Sequence, residues 1–349
     1  MKKLFSSLMT IIILFLLNGC KENISNNYLD FKVISSIKDT LRGVILEKTA
    51  SQDSANYSSF LYSPNGLIVD AGLENEAFFM LDTLNGSKNS SGGFIGKGHN
   101  EILSVISYDY NKATNKLFVW DIYLKKIHSF FVSKDNILKD EISIDVKEKS
   151  NLYRLKVISD SLFIGLTFCP DQTIGLISND GAFKSKLPYK VIENNNLDYS
   201  TKYFTTQIAV SPNKDYVVAV DFMFPSIKLY SIIDNKILLN WEKMIFKPIY
   251  NVENGWVKIN NDQIFGFLDV FMTKNFIYVS TLGLKCGDWR QNKNENCNYT
   301  YLLKFDYNGN FLKSYILDHY IQVFQFSSDQ NTIYGLCGDN KIYKYLISD

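Results

Sequence analysis

The sequence predicts an all-β chain folded as a six-bladed β-propeller, with an N-terminal strand closing the last blade. Three observations predict it. A two-strand phrase recurs six times along the 349 residues. Aromatic residues make up 15% (25 Phe, 22 Tyr) against 6 Pro, a composition that favours strands. The two ends of the repeat region are complementary, one carrying a spare strand and the other lacking one.

In chain order, Lys2 and Lys3 precede a mostly apolar run, Leu4 to Leu17, which is shorter than the roughly 20 residues a membrane-spanning helix needs. A charged start and a short apolar stretch make a secretory signal. Leu17-Asn18-Gly19-Cys20 follows directly and resembles a bacterial lipobox, so residues 1–19 are read as a lipoprotein signal peptide and Cys20 as the lipid attachment site. Acyl chains on Cys20 would anchor the chain, each buried CH2 contributing about 0.8 kcal/mol. Residues 20–29 are the lipidated cysteine and a polar tether, and residues 30–349 the propeller. Lys21 stands where an Asp retains some lipoproteins at the inner membrane, which directs this chain to the outer membrane of the cell envelope.

The repeated phrase pairs an apolar strand with a second that often ends in Ile/Leu-x-x-Tyr/Phe. It is read at Leu67–Asp70, Phe118–Asp121, Phe163–Leu166, Val218–Asp221, Ile277–Ser280 and Ile333–Leu336, each followed by its partner. Residues 70, 121, 166, 221, 280 and 336 align, at intervals of 45 to 59 residues. Such a period suits a four-stranded blade with its loops. Asn65-Gly66, Asn85-Gly86, Asp180-Gly181 and Asn308-Gly309 supply the turns and are expected to form type I′ hairpins. Strands apolar on both faces, such as Phe118 to Ile122, suit sheets stacked on both sides. Two β-sandwiches would also space short strands regularly, but six matched units favour a ring. The sixth unit stops after its third strand, Lys341 to Ile347, while Arg42 to Glu47 is a strand without a unit. Pairing the two removes an open sheet edge.

In this order the residues resemble the TolB-like six-bladed propeller lipoproteins common in Bacteroidetes. That family carries a segment of the form Gly-Arg-Gly-Pro-Gly-Glu-Phe between its first two blades. Gly96-Lys97-Gly98-His99-Asn100-Glu101-Ile102 matches its two leading glycines, its basic residue and its glutamate, and departs at His99, Asn100 and Ile102. Lys116 to Asp121, Ala209 to Asn213 and Lys304 to Phe311 resemble its second, fourth and fifth blades. The resemblance implies fold and location and brings no activity with it.

The charge is balanced, 37 basic against 36 acidic side chains, and moves from +1 to about −1 once residues 1–19 are removed. Neither value suits a nucleic-acid partner, which would need a basic excess. Gly92 to Glu101 lacks the Lys-Ser/Thr of a phosphate loop, and Lys97, His99 and Glu101 are read instead as binding candidates lining one mouth of the ring. Asp70, Asp121 and Asp221 occupy equivalent places. An Asx-type turn is favoured there over a ring of carboxylates around a cation. His99, His128 and His319 have no zinc spacing and no G-x-S-x-G is present, so no catalytic residue, metal site or cofactor is assigned. Cys286 and Cys297 flank a polar insert and are candidates for a disulfide across it, while Cys169 and Cys337 are expected to be free thiols. Trp289 and Arg290, in the same insert, are candidate contacts for a partner, or the Trp folds back on the fifth blade. The function expected is a non-catalytic binding or scaffold module, held at the membrane by its lipid, for an unknown envelope protein or glycan. The alternative is a calcium-dependent lactonase or hydrolase.

Overall fold

Each second strand of the repeat is buried along nearly its whole length, which is what a strand packed on both faces must be. Gly66–Asp70 (β4), Lys116–Asp121 (β8), Leu162–Thr167 (β12), Tyr216–Asp221 (β16), Phe276–Thr281 (β22) and Thr332–Cys337 (β26) are therefore equivalent. The computed structural model describes residues 28–35, 39–46, 57–70, 76–96, 98, 101–147, 152–168, 172–191, 206–290 and 298–347. Cys20, Lys97, His99, Cys169 and Cys297 lie outside them, as does the whole signal segment. Among the described residues no helix is long and apolar enough to cross a membrane.

Around each second strand a four-stranded antiparallel blade is completed. Blade 1 adds Ser59–Ser63 (β3), Glu76–Leu81 (β5) and Lys88–Phe94 (β6). Blade 2 adds Ser107–Asn111 (β7), Lys126–Val132 (β9) and Ile137–Asp145 (β10). Blade 3 adds Leu152–Ser159 (β11), Thr173–Ser178 (β13) and Phe183–Pro188 (β14). Blade 4 adds Thr206–Val210 (β15), Ser226–Ile233 (β17) and Lys236–Met244 (β18). Blade 5 adds Asp269–Met272 (β21), Thr300–Asp306 (β23) and Phe311–Leu317 (β24). Blade 6 has only Ile321–Phe326 (β25) and Ile342–Leu346 (β27) from its own stretch of chain. Blades 1 and 2 share one eight-stranded sheet because β6 and β10 meet in parallel at Gly92 and Ile137.

The missing strand of blade 6 comes from the start of the chain. Val44–Ile45 (β2) pairs antiparallel with β27, Val44 opposite Lys344 and Ile45 opposite Tyr343. The closing strand therefore falls inside the Arg42 to Glu47 stretch. Just before it, Thr40–Leu41 (β1) lies parallel to β24 as a fifth strand of blade 5. Further upstream a one-turn helix, Phe31–Ser35 (α1), sets Phe31 edge-on against Phe246 and Tyr301 at 5.5 and 5.1 Å. Residues 28–35 and 39–46 lie along blades 4, 5 and 6 as a strap.

Six apolar clusters hold the ring, one for each contact between neighbouring blades, including the contact between blades 6 and 1. Aromatic pairs cross these contacts: Phe78–Tyr108 (5.1 Å), Phe118–Phe163 (5.1 Å), Tyr216–Tyr307 (5.2 Å), Tyr278–Phe326 (4.7 Å) and Tyr62–Tyr334 (5.8 Å). This is where the aromatic excess of the composition resides. Rings fill the wedge between sheets with large area and few rotatable bonds.

The turns differ from expectation. At Asn85-Gly86, Asp180-Gly181 and Asn308-Gly309 only the glycine has positive φ (71°, 77° and 75°), so these are not type I′ hairpins. Each sits beside a register shift in its ladder, at Met80/Leu81, Leu176/Ile177 and Lys304/Phe305. A longer loop ending in a left-handed glycine produces such a bulge. Asp306 shows why the loop is longer: its carboxylate accepts from the backbone N of both Asn308 and Asn310. Two adjacent positive φ values, as type I′ needs, occur at Asp234-Asn235 and Asn254-Gly255.

Candidate functional site

Antiparallel pairing within each blade gives the ring two distinct ends. First strands all run one way, so the first-to-second turns lie at one end, here the turn face. Second-to-third loops and the links between blades lie at the other, the connection face. The sequence-read candidates Glu101, Trp289 and Arg290 belong to the connection face.

There Gly98 is bonded to Glu101, and Gly96 to Ile102. The Glu101 carboxylate accepts from the Gly98 N–H at 2.5 Å, Glu101 N donates to Gly98 O, and Gly96 N donates to Ile102 O. A Cβ at Gly96 would stand 2.1 Å from the Glu101 carboxylate, so the glycines make room for the acid. The Glu101 side chain is turned into its own loop.

Asp70, Asp121 and Asp221 end β4, β8 and β16, each on a different blade. In every case the carboxylate receives a donor from the entry of the first strand of the same blade. Ser58 Oγ donates to Asp70 at 2.5 Å, Leu103 N to Asp121 at 2.6 Å, and Thr206 Oγ1 to Asp221 at 2.5 Å. Asp121 also accepts from Tyr123 N and Leu124 N, the Asx turn read from sequence. Asp221 is fully buried and further bonded by the Tyr189 hydroxyl. Burial pushes its carboxyl up to about 6, against the hydrogen bond from Thr206 and the charge of Lys228. Among the described residues no group of three or more His, Cys, Asp or Glu is arranged to hold a metal ion.

The same face carries a platform built from the link after blade 4 and packed on the apolar cluster of blades 3 and 4. Tyr250–Glu253 (β19) and Trp256–Ile259 (β20) form a separate hairpin turning at Asn254-Gly255. A second short helix, Cys286–Arg290 (α2), packs behind it, with Cys286 N donating to Gln263 O and Gly287 N to Asn261 O. Cys286 is buried. Its candidate partner Cys297 is outside the described residues. Trp289 is half-buried and folds back, 5.8 Å edge-on from Phe265, which itself stacks on Phe222 at 5.1 Å. Trp256, at 47% exposure, is the outward indole, opposite Glu253 in the ladder. Sequence reading missed this hairpin, although Asn254-Gly255 between apolar strands was its signal. Cys337, at the end of β26, is a half-buried free thiol whose pKa is raised by burial.

The central channel is lined by all six first strands, β3, β7, β11, β15, β21 and β25, and holds a cavity of about 690 Å³ towards the turn face. Side chains stitch neighbouring first strands together. Ser59 Oγ donates to the Tyr108 hydroxyl, Leu155 N to Ser107 Oγ, Val157 N to Asp109, Arg154 Nε to Gln207 and Phe324 N to Asp269, all at 2.8 or 2.9 Å.

A family model described as TolB-like 6-blade propeller-like matches residues 64–329. The chain belongs to that family. Comparison with curated protein sequences finds no match. Among solved structures, the TolB-like chain is similar to the Cps50 (Swd1) β-propeller domain of Myceliophteria thermophila, at 10% identity and a TM-score of 0.47, over 84% of this chain and 97% of that one. The family match begins just after β3, runs from β4 through β24 and enters blade 6. Strand β2, which completes this TolB-like ring, lies before it.

Proposed function

We propose that this protein is a non-catalytic binding or scaffold module of the cell envelope, anchored by lipid on Cys20, that presents its connection face to a protein or glycan partner. The observation that carries the reading is the platform on that face. The β19–β20 hairpin, outside the blade plan, stands on the ring with Trp256 exposed. Exposed aromatics on a rigid support are favoured contact residues. A calcium enzyme of this fold would need carboxylates converging on one cation. Here Asp70, Asp121 and Asp221 stand on separate blades and each is bonded to its own blade.

Two measurements test the reading. Radiolabelled palmitate is expected in the wild-type protein and absent from Cys20→Ala. Equal labelling of both removes the anchor. Affinity capture from the native envelope is expected to recover a partner with wild type and to lose it with Trp256→Ala. Metal-dependent turnover of lactones with no captured partner would replace this reading with the enzyme.

A further inference from the structure

The cavity at the turn face is charged in a way the overall composition conceals. Three lysines line it: Lys112 from the β7–β8 turn, Lys156 from β11 and Lys214 from the β15–β16 turn. Two carboxylates line it as well, and each is engaged by neighbouring groups of the ring. Asp160 receives Asn111 Nδ2 at 2.7 Å and Thr114 Oγ1 at 2.8 Å, with Lys116 Nζ at 3.8 Å. Asp109 receives Val157 N at 2.8 Å and Lys156 Nζ at 3.4 Å. Lys112 has no ion pair among the described residues, and its ammonium lies 5.5 Å from the Tyr62 ring centre. Lys214 donates to a neutral acceptor, the Val157 carbonyl at 2.8 Å.

Nothing in the turn itself asks for a lysine at 214. The residue takes a left-handed φ of 66°, a conformation that favours glycine or asparagine. In blade 6 the equivalent turn places Gln330 there, with the same hydrogen bond back to a serine carbonyl. Surrounding protein, and then the charge of Lys214, hold the Lys112 ammonium below the ordinary lysine value, and burial lowers Lys214 likewise, with the Asp109 carboxylate opposing both shifts. Three lysines against two carboxylates leave this walled space net positive, which favours a bound anion. The rest of the wall is largely apolar, with Leu61, Val270 and Met272 among its residues, and the volume falls within the range of small-molecule pockets.

We propose that the turn-face mouth of the channel binds a small organic anion, its carboxylate set between Lys112 and Lys214 and its apolar body against Leu61, Val270 and Met272. This site lies at the end of the ring opposite the partner platform, so it stands or falls independently of that contact.

Calorimetric titration of the full chain with sodium octanoate, 1-octanol and inorganic phosphate tests it. Octanoate is expected to bind, and to bind more tightly than either of the others. Lys112→Met and Lys214→Met are each expected to weaken it by about 10-fold, the typical worth of a charge-assisted hydrogen bond. Lys112→Arg should retain binding, and Lys285→Met, on the connection face, should leave it unchanged. Circular dichroism melts of each variant establish that it is folded. The proposal is overturned if octanoate shows no binding heat up to about 10 mM. It is also overturned if octanol or phosphate binds as tightly, or if the folded lysine-to-methionine variants bind like wild type.

Discussion

The two ends of this ring are built from opposite materials on one support. The connection face gathers apolar and aromatic residues into an added hairpin and keeps its acids bonded inward. The turn face has short loops and gathers ammonium groups around a cavity. Blade strands alone do not set this difference, since every blade contributes to both ends. It arises where loops depart from the repeat: the residues between β18 and β21 at one end, and the lysines of two turns at the other. Scaffold and chemistry are therefore separable here, and substitutions can be chosen to affect both ends, one end, or one residue.

The largest effect is expected where both ends depend on the same packing. Phe118 is buried between blades 2 and 3 against Phe163. Phe118→Ala should cost about 3–5 kcal/mol, read by denaturant unfolding, with partner capture and octanoate binding weakened together. If only one were affected, the ends would not share a rigid support.

A smaller effect should single out the connection face. The buried Asp221 carboxyl titrates at about 6 rather than 3.8. Because the folded value is the higher one, its contribution is complete below about pH 4 and is lost as the pH rises through 6, amounting to about 2–3 kcal/mol. Asp221→Asn should flatten that slope. The Asp221 carbonyl also accepts from Phe267 N, which leads into blade 5. Hydrogen exchange, corrected for intrinsic rates, should therefore rise at residues 265–268 between pH 5 and 8 while residues 211–216 hold steady.

The finest contrast lies within the platform. Trp289→Ala removes an indole packed on Phe265 and should cost about 1–2 kcal/mol. Trp256→Ala removes an outward one and should change stability by less than about 0.5 kcal/mol. Thermal melts of the two variants side by side check this. Equal losses would mean that the hairpin is part of the core and not a displayed surface.

Much of the ring was legible in the sequence because a repeat states the same local pattern six times. The six second strands, the register of Asp70, Asp121 and Asp221, and the closing strand near Arg42 to Glu47 all follow from apolar periodicity and matched ends. Strand β1 was not legible: two residues paired in parallel to β24 leave no pattern of their own. The turn type was misread because Asn-Gly marks a left-handed glycine without stating the loop length around it. The channel lysines were hidden for a different reason. Lys112, Lys156 and Lys214 are far apart in sequence, and only closure of the ring brings them to one cavity. A net charge near zero is silent about such local separation. Trp289 was noticed by residue type, but type does not tell an anchor from a contact.

The strap has a mechanical consequence. Tension applied to the chain from its N-terminal side meets the ring first at Leu29, whose N–H is bonded to Ile245 O, and at Phe31, wedged between Phe246 and Tyr301. Only beyond these and β1 does it reach β2, whose few pairs with β27 form the outer clasp of blade 6. The wedge acts as strain relief acts on a cable: load is shed into the seam between blades 4 and 5 before it reaches the clasp.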